Sequence, residues 1–104
     1  MTPRKYEILV RKFYESPNNV TFSEIKKILE IHGYWEYKLD GHDHYFVNEV
    51  DEKDIIKVAI KSHTKDRVKE VYVKMVRNHL KLKEGFEYMK KKLEKLNRYE
   101  EEDS

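Results

Sequence analysis

The sequence predicts a single α+β domain with the element order α-α-β-β-β-α-α. Apolar residues recur at helical spacing towards both ends of the chain, three short runs of strand character bounded by turn-formers fill its middle, and no linker or internal repeat divides it. A chain of 104 residues can bury one modest core and is too short for two.

Tyr6, Leu9, Val10 and Phe13 share one helical face in residues 4–15, and Ser16-Pro17-Asn18-Asn19 then breaks the pattern. In the next helix Thr21 followed by Glu24 reads as a capping box, Phe22, Ile25, Ile28 and Leu29 form the apolar stripe, and Gly33 ends it. Residues 34–39 set Trp35, Tyr37 and Leu39 on one strand face against Tyr34, Glu36 and Lys38, with Asp40-Gly41 as a hairpin turn. Residues 44–49 form a second strand, with His42 two positions before His44 so that both point the same way, and residues 55–61 form a third. Val68, Val71, Tyr72, Met75, Val76, His79 and Leu80 restore helical spacing, and Phe86, Met89, Leu93 and Leu96 predict an amphipathic closing helix over 84–99. The central helix, three antiparallel strands and helix make a sandwich that resembles the double-stranded-RNA-binding domain. Strands one and three are apolar on both faces, so the terminal helices or a partner are expected to cover part of the second face.

Composition narrows the chemistry. There is no cysteine, which excludes disulfides, thiolate metal sites and a thiol nucleophile. No apolar run reaches membrane-spanning length, which predicts a soluble, cytoplasmic protein. The net charge is +2, but Glu100, Glu101, Glu102 and Asp103 fall in the tail, 100–104; residues 1–99 carry 22 basic and 16 acidic side chains, a charge of +6. A basic body of that size suits a polyanion such as RNA and is also common on plain soluble domains.

Five histidines are the chief candidates for chemistry. His32 and His79 fall at helix ends, where imidazolium favours the negative end of the helix dipole, and both read as structural. His42, Asp43 and His44 cluster at the hairpin, and His63 follows the third strand, whose end should approach the start of the second. Three readings fit this group. The histidines, with or without Asp43, could ligate a metal, although no tight helical spacing supports that. They could be solvated decoration of a polar hairpin. Or one imidazole could take the proton of a ribose 2′-hydroxyl while a second group protonates the leaving oxygen and lysines neutralise the phosphate.

The stretch from Asn18 through Val47, continued by residues 55–82, resembles the HicA toxins of HicAB toxin–antitoxin systems. In that family a capped helix runs into a Gly-aromatic step and a strand, then a G-S-H or G-D-H motif with an aromatic or aliphatic strand behind it, a third strand ending near a second histidine, and a closing helix. The match covers a core of residues 18–82, and the helix over 4–15 corresponds to a longer variant of the family. With His42-Asp43-His44 in the place of G-D-H, Tyr45-Phe46-Val47 continues the strand in register and His44 takes the catalytic position. With Gly41 as the motif glycine, that position falls on Asp43 instead.

The resemblance implies a metal- and cofactor-independent mRNA interferase, an endoribonuclease held silent by a HicB-like antitoxin. It implies that His44 is the principal general acid/base, helped by His63 or His42 with Asp43 beside it. A basic strip of Lys57, Lys61, Lys65 and Arg67 would face RNA. A non-catalytic RNA-binding module and a protein-interaction domain are the alternatives on the same fold, the latter through the apolar second sheet face and compatible with a homodimer.

Overall fold

A computed structural model describes residues 1–102, with side chains for residues 1–96. Helices α1 (Pro3–Glu15) and α2 (Phe22–Ile31) precede strands β1 (Tyr34–Asp40), β2 (Asp43–Asn48) and β3 (Ile55–Ala59), and helices α3 (Glu70–His79) and α4 (Phe86–Glu102) follow. The strands form one antiparallel sheet in the order β1-β2-β3. The domain is therefore α+β in the expected order. Helix α4 continues past residue 99 to Glu102, and the side chains of the acidic tail lie outside the described residues.

Local chemistry sets the helix starts. The Thr2 hydroxyl accepts from the Lys5 amide with Pro3 at the first turn of α1, where a missing N–H costs no helix hydrogen bond. At α2 the Glu24 amide donates to the Thr21 hydroxyl at 3.2 Å and the Thr21 amide to the Glu24 carboxylate at 2.9 Å, a reciprocal capping box. Lys12 reaches the same carboxylate at 2.8 Å and ties α1 to α2. Gly33, at φ 84°, supplies the left-handed residue that ends α2.

One core joins all four helices to the inner face of the sheet, including Phe13 of α1, Ile28 of α2, Phe46 of β2, Val76 of α3 and Met89 of α4. Both terminal helices add to the helical layer: Tyr6 stacks on Phe86 at 6.0 Å, and Arg77 donates to the Phe13 carbonyl at 2.9 Å. Of the two expected covers for the second sheet face, the terminal helices are therefore ruled out among the described residues. Trp35, Tyr37 and Ile55 remain about half exposed there. An amphipathic stripe states that a helix must bury one side, but not against which layer.

Two further departures concern β1 and β2. A bulge between Glu36 and Lys38 shifts the register, so that Lys38 pairs with Tyr45 and Leu39 with His44. Leu39 therefore leaves the face it was expected to share with Trp35, because one inserted residue reverses every side chain beyond it. The turn is Gly41-His42, with Gly41 at φ 62°, and β2 starts at Asp43, one residue before the expected His44, so that His42 is left in the turn. Strand β3 likewise ends at Ala59, with Ile60 held outside it by an isolated bridge to Val68.

His79 and His32 both serve the framework. His79 Nε2 lies 2.8 Å from Asp54, which also accepts from the Tyr34 hydroxyl, so the end of α3 is pinned to the β2–β3 loop. His32 caps α2 and sits 3.1 Å from the Tyr6 hydroxyl. Burial, and then the Lys92 ammonium, holds its pKa below the ordinary value of 6.5, so the neutral imidazole is favoured rather than the expected imidazolium. Because the unfolded chain binds this proton more readily, the contribution of His32 is complete above about pH 6.5 and is lost as pH falls towards the lowered folded value. His32→Gln should accordingly show a flatter fall in unfolding free energy than the wild type between about pH 7.5 and 5.5, measured by urea denaturation. Parallel pH profiles would contradict this.

Candidate active site

Alternation along β2 divides the histidine motif between two faces. His44 shares the inner face with buried Phe46, whereas Asp43 and Tyr45 point to the open face. At the end of the sheet, His44 is paired with Leu39 on one side and Val58 on the other. Its ring lies against Phe22, the first residue of α2, with centroids 4.0 Å apart and planes inclined by 33°. The capping box that starts α2 therefore also sets the wall on which the imidazole rests.

Glu36 of β1 completes the arrangement. Its Oε2 is 2.5 Å from His44 Nδ1, and its Oε1 is 3.8 Å from Lys26 Nζ on α2. The imidazole side chain is 12% exposed and Glu36 24%, so the pair is shielded but not sealed. A carboxylate at Nδ1 fixes that nitrogen as the protonated one, orients the ring and stabilises the imidazolium formed when Nε2 takes up a proton. Nε2 has no hydrogen-bond partner among the described residues. The site can therefore accept a proton at Nε2 and return it, with the Lys26 cation nearby.

The other proposed site residues are placed differently. His42 is exposed in the turn, so it does not lie on β2 beside His44; its carbonyl accepts from the Ile60 amide at 3.2 Å. That bond brings the β1–β2 turn against the start of the loop containing His63, at the same end of the sheet as His44. His63 is exposed at φ 65°, a left-handed conformation uncommon outside glycine, in a loop closed by the Lys61 amide on the Arg67 carbonyl at 2.7 Å. No hydrogen bond or ring contact joins His42 or His63 to His44 among the described residues. Asp43 does not share the His44 site: it faces Lys57, whose pKa is raised by the Tyr72 hydroxyl first and then also by Asp43.

The basic strip is also divided. Lys61 Nζ donates to the Asn18 carbonyl at 3.1 Å and Arg67 to the Asn19 carbonyl at 2.8 Å, so both hold the 3-10 turn Pro17–Asn19 in front of α2. Lys65 is exposed, and Lys57 lies on the open face of β3 with its ammonium 5.6 Å from the Tyr72 ring. Among the described residues, no three His, Asp or Glu side chains converge as metal ligands, and no helix is long and apolar enough to cross a membrane.

Glu36, Lys26 and Phe22 were missed as site residues. Period-two alternation sets Glu36 with Tyr34 and Lys38, opposite the more apolar Trp35, Tyr37 and Leu39, so no pattern in the sequence turns it inward; the structure does, with Tyr34 buried beside it. No family model matches the chain, and neither a curated protein nor a solved structure matches it.

Proposed function

We propose that this chain is an RNA-cleaving toxin of the HicA type, a cytoplasmic endoribonuclease on a fold like that of double-stranded-RNA-binding domains, silenced by a HicB-like antitoxin. The observation that carries the reading is the Glu36–His44 pair, with Nδ1 held by a carboxylate and Nε2 without a hydrogen-bond partner among the described residues. The motif-bearing strand and the second histidine, His63, reach the same end of the sheet, which supports it further.

In the proposed reaction His44 Nε2 removes the proton of a ribose 2′-hydroxyl, and the 2′-oxygen attacks the adjacent phosphorus. The bond from phosphorus to the 5′-oxygen breaks, and that oxygen takes a proton from a second group, for which His63 and His42 are the candidates. Lys26 offsets charge building on the phosphate. The products are a 2′,3′-cyclic phosphate and a 5′-hydroxyl. Glu36 acts as a positioning residue by fixing the His44 tautomer.

Glu36→Gln keeps the shape of the side chain and removes its charge, so cleavage of a fluorescently labelled RNA should fall by roughly 10²-fold or more. The loss should fall on kcat with KM little changed, because Glu36 touches His44 and not the substrate. Unchanged kcat in Glu36→Gln would remove the pair from the mechanism.

A further inference from the structure

The open face of the sheet presents three cross-strand rows. Trp35, Val47 and Ile55 form one, Lys38, Tyr45 and Lys57 the next, and Asp40, Asp43 and Ala59 the last, nearest the turn. The bulged residue Tyr37 adds its ring beside that of Tyr45, with centroids 6.5 Å apart. Trp35 and Tyr37 are 49% and 53% exposed, and no described helix packs over them. We infer that this face is a stacking platform for single-stranded nucleic acid, with bases on the Trp35, Tyr37 and Tyr45 rings and phosphates at Lys38 and Lys57.

The middle row decides between occupants. Its aromatic side chain lies on the central strand with a lysine on each flank, and Lys38 Nζ is 5.3 Å from the Tyr45 ring centroid. A protein partner packed here would have to bury ammonium groups at the centre of its contact, where lysine is depleted in protein interfaces. A single strand needs that combination, since base faces stack on aromatic rings whatever their sequence while cations follow the backbone. On β2 and β3 adjacent rows are two residues apart, roughly 7 Å, about twice the rise of stacked bases, so bases must unstack from one another to reach successive rows.

Acidic groups confine the strand. Asp40 and Asp43 repel phosphate from the turn end, and the Glu49 carboxylate at the opposite end is held 3.0 Å from Trp35 Nε1. The path therefore crosses the Trp35 and Tyr45 rows. This face is opposite that of His44, and the inference holds whether or not His44 cleaves RNA.

The test is fluorescence anisotropy of a labelled oligothymidylate, which has no 2′-hydroxyl and so cannot be cut by the proposed route. The wild type should bind it more tightly than a duplex of the same length. Trp35→Ala and Tyr37→Ala should each weaken binding by about 5- to 150-fold. Lys38→Ala should reduce the slope of log affinity against log salt by about 0.7, and Ile8→Ala, exposed on α1 in the helical layer, should bind like the wild type. Equal affinity for strand and duplex, or a Trp35→Ala, Tyr37→Ala double variant that binds like the wild type, would overturn the inference. A wild-type dimer in sedimentation that Trp35→Ala dissociates, without effect on oligonucleotide affinity, would also overturn it and assign the face to a second copy of the chain.

Discussion

Replacing His44 by alanine should lower RNA cleavage by about 10²- to 10⁴-fold, the range expected when a positioned acid/base is removed, and should relieve growth arrest in cells that express the protein. The substitution also has a structural cost, because the ring lies on Phe22 and holds Glu36. Loss of that packing and hydrogen bond should destabilise the domain by about 1–2 kcal/mol, or roughly 4–16 °C in melting temperature for a domain of this size. Activity should therefore be compared at a temperature where circular dichroism shows both proteins folded. Full activity in folded His44→Ala contradicts the assignment. Loss of activity in Asp43→Ala with His44→Ala still active would place the motif glycine at Gly41 and move the chemistry to the open face.

Phe13→Ala should produce the largest loss of stability of any change considered, about 3–5 kcal/mol, since the ring is fully buried and its removal leaves a cavity. Against a total of roughly 5–15 kcal/mol for a small domain, that is enough to unfold a marginal protein. The measurement is the midpoint of urea unfolding, with Ile8→Ala as control; Ile8 is on the same helix but 55% exposed, so its loss should change stability by no more than about 0.5 kcal/mol. Helix α1 reads in the sequence as an addition to a core of residues 18–82, whereas Tyr6, Val10 and Phe13 all lie inside the common core. A Phe13→Ala effect below about 1 kcal/mol would mean that α1 is not part of the cooperative unit.

Features set by neighbouring residues were legible in the sequence. The Thr21–Glu24 capping box, the role of Gly33 and the order of elements each depend on a few adjacent side chains, and the structure bears them out. Features set by distant contacts were not. The Glu36 bond to His44 spans eight residues and depends on the register of β1 before its bulge, which no local pattern encodes. Lys61 and Arg67 reach carbonyls 43 and 48 residues away, so their charges read as part of a free basic strip when their hydrogen bonds fasten the turn before α2. His32 illustrates the same limit: its place at a helix end suggested an imidazolium, but burial against Tyr6 favours the neutral ring. The open-face aromatics were visible as a group, but the row in which Tyr45 stands between two lysines appears only once the strands are paired.

The most direct test of the acid/base centre is mass spectrometry of the RNA ends produced by purified wild-type protein in excess EDTA, with His44→Ala prepared identically as the blank. Attack by the 2′-oxygen requires proton transfer and charge neutralisation but no metal-bound water. Wild type should therefore leave 2′,3′-cyclic phosphate and 5′-hydroxyl ends at an undiminished rate, and His44→Ala should leave the RNA essentially uncut. Intact RNA in the presence of folded wild type, or cleavage that stops on chelation, returns with zinc and leaves 3′-hydroxyl and 5′-phosphate ends, would contradict the account.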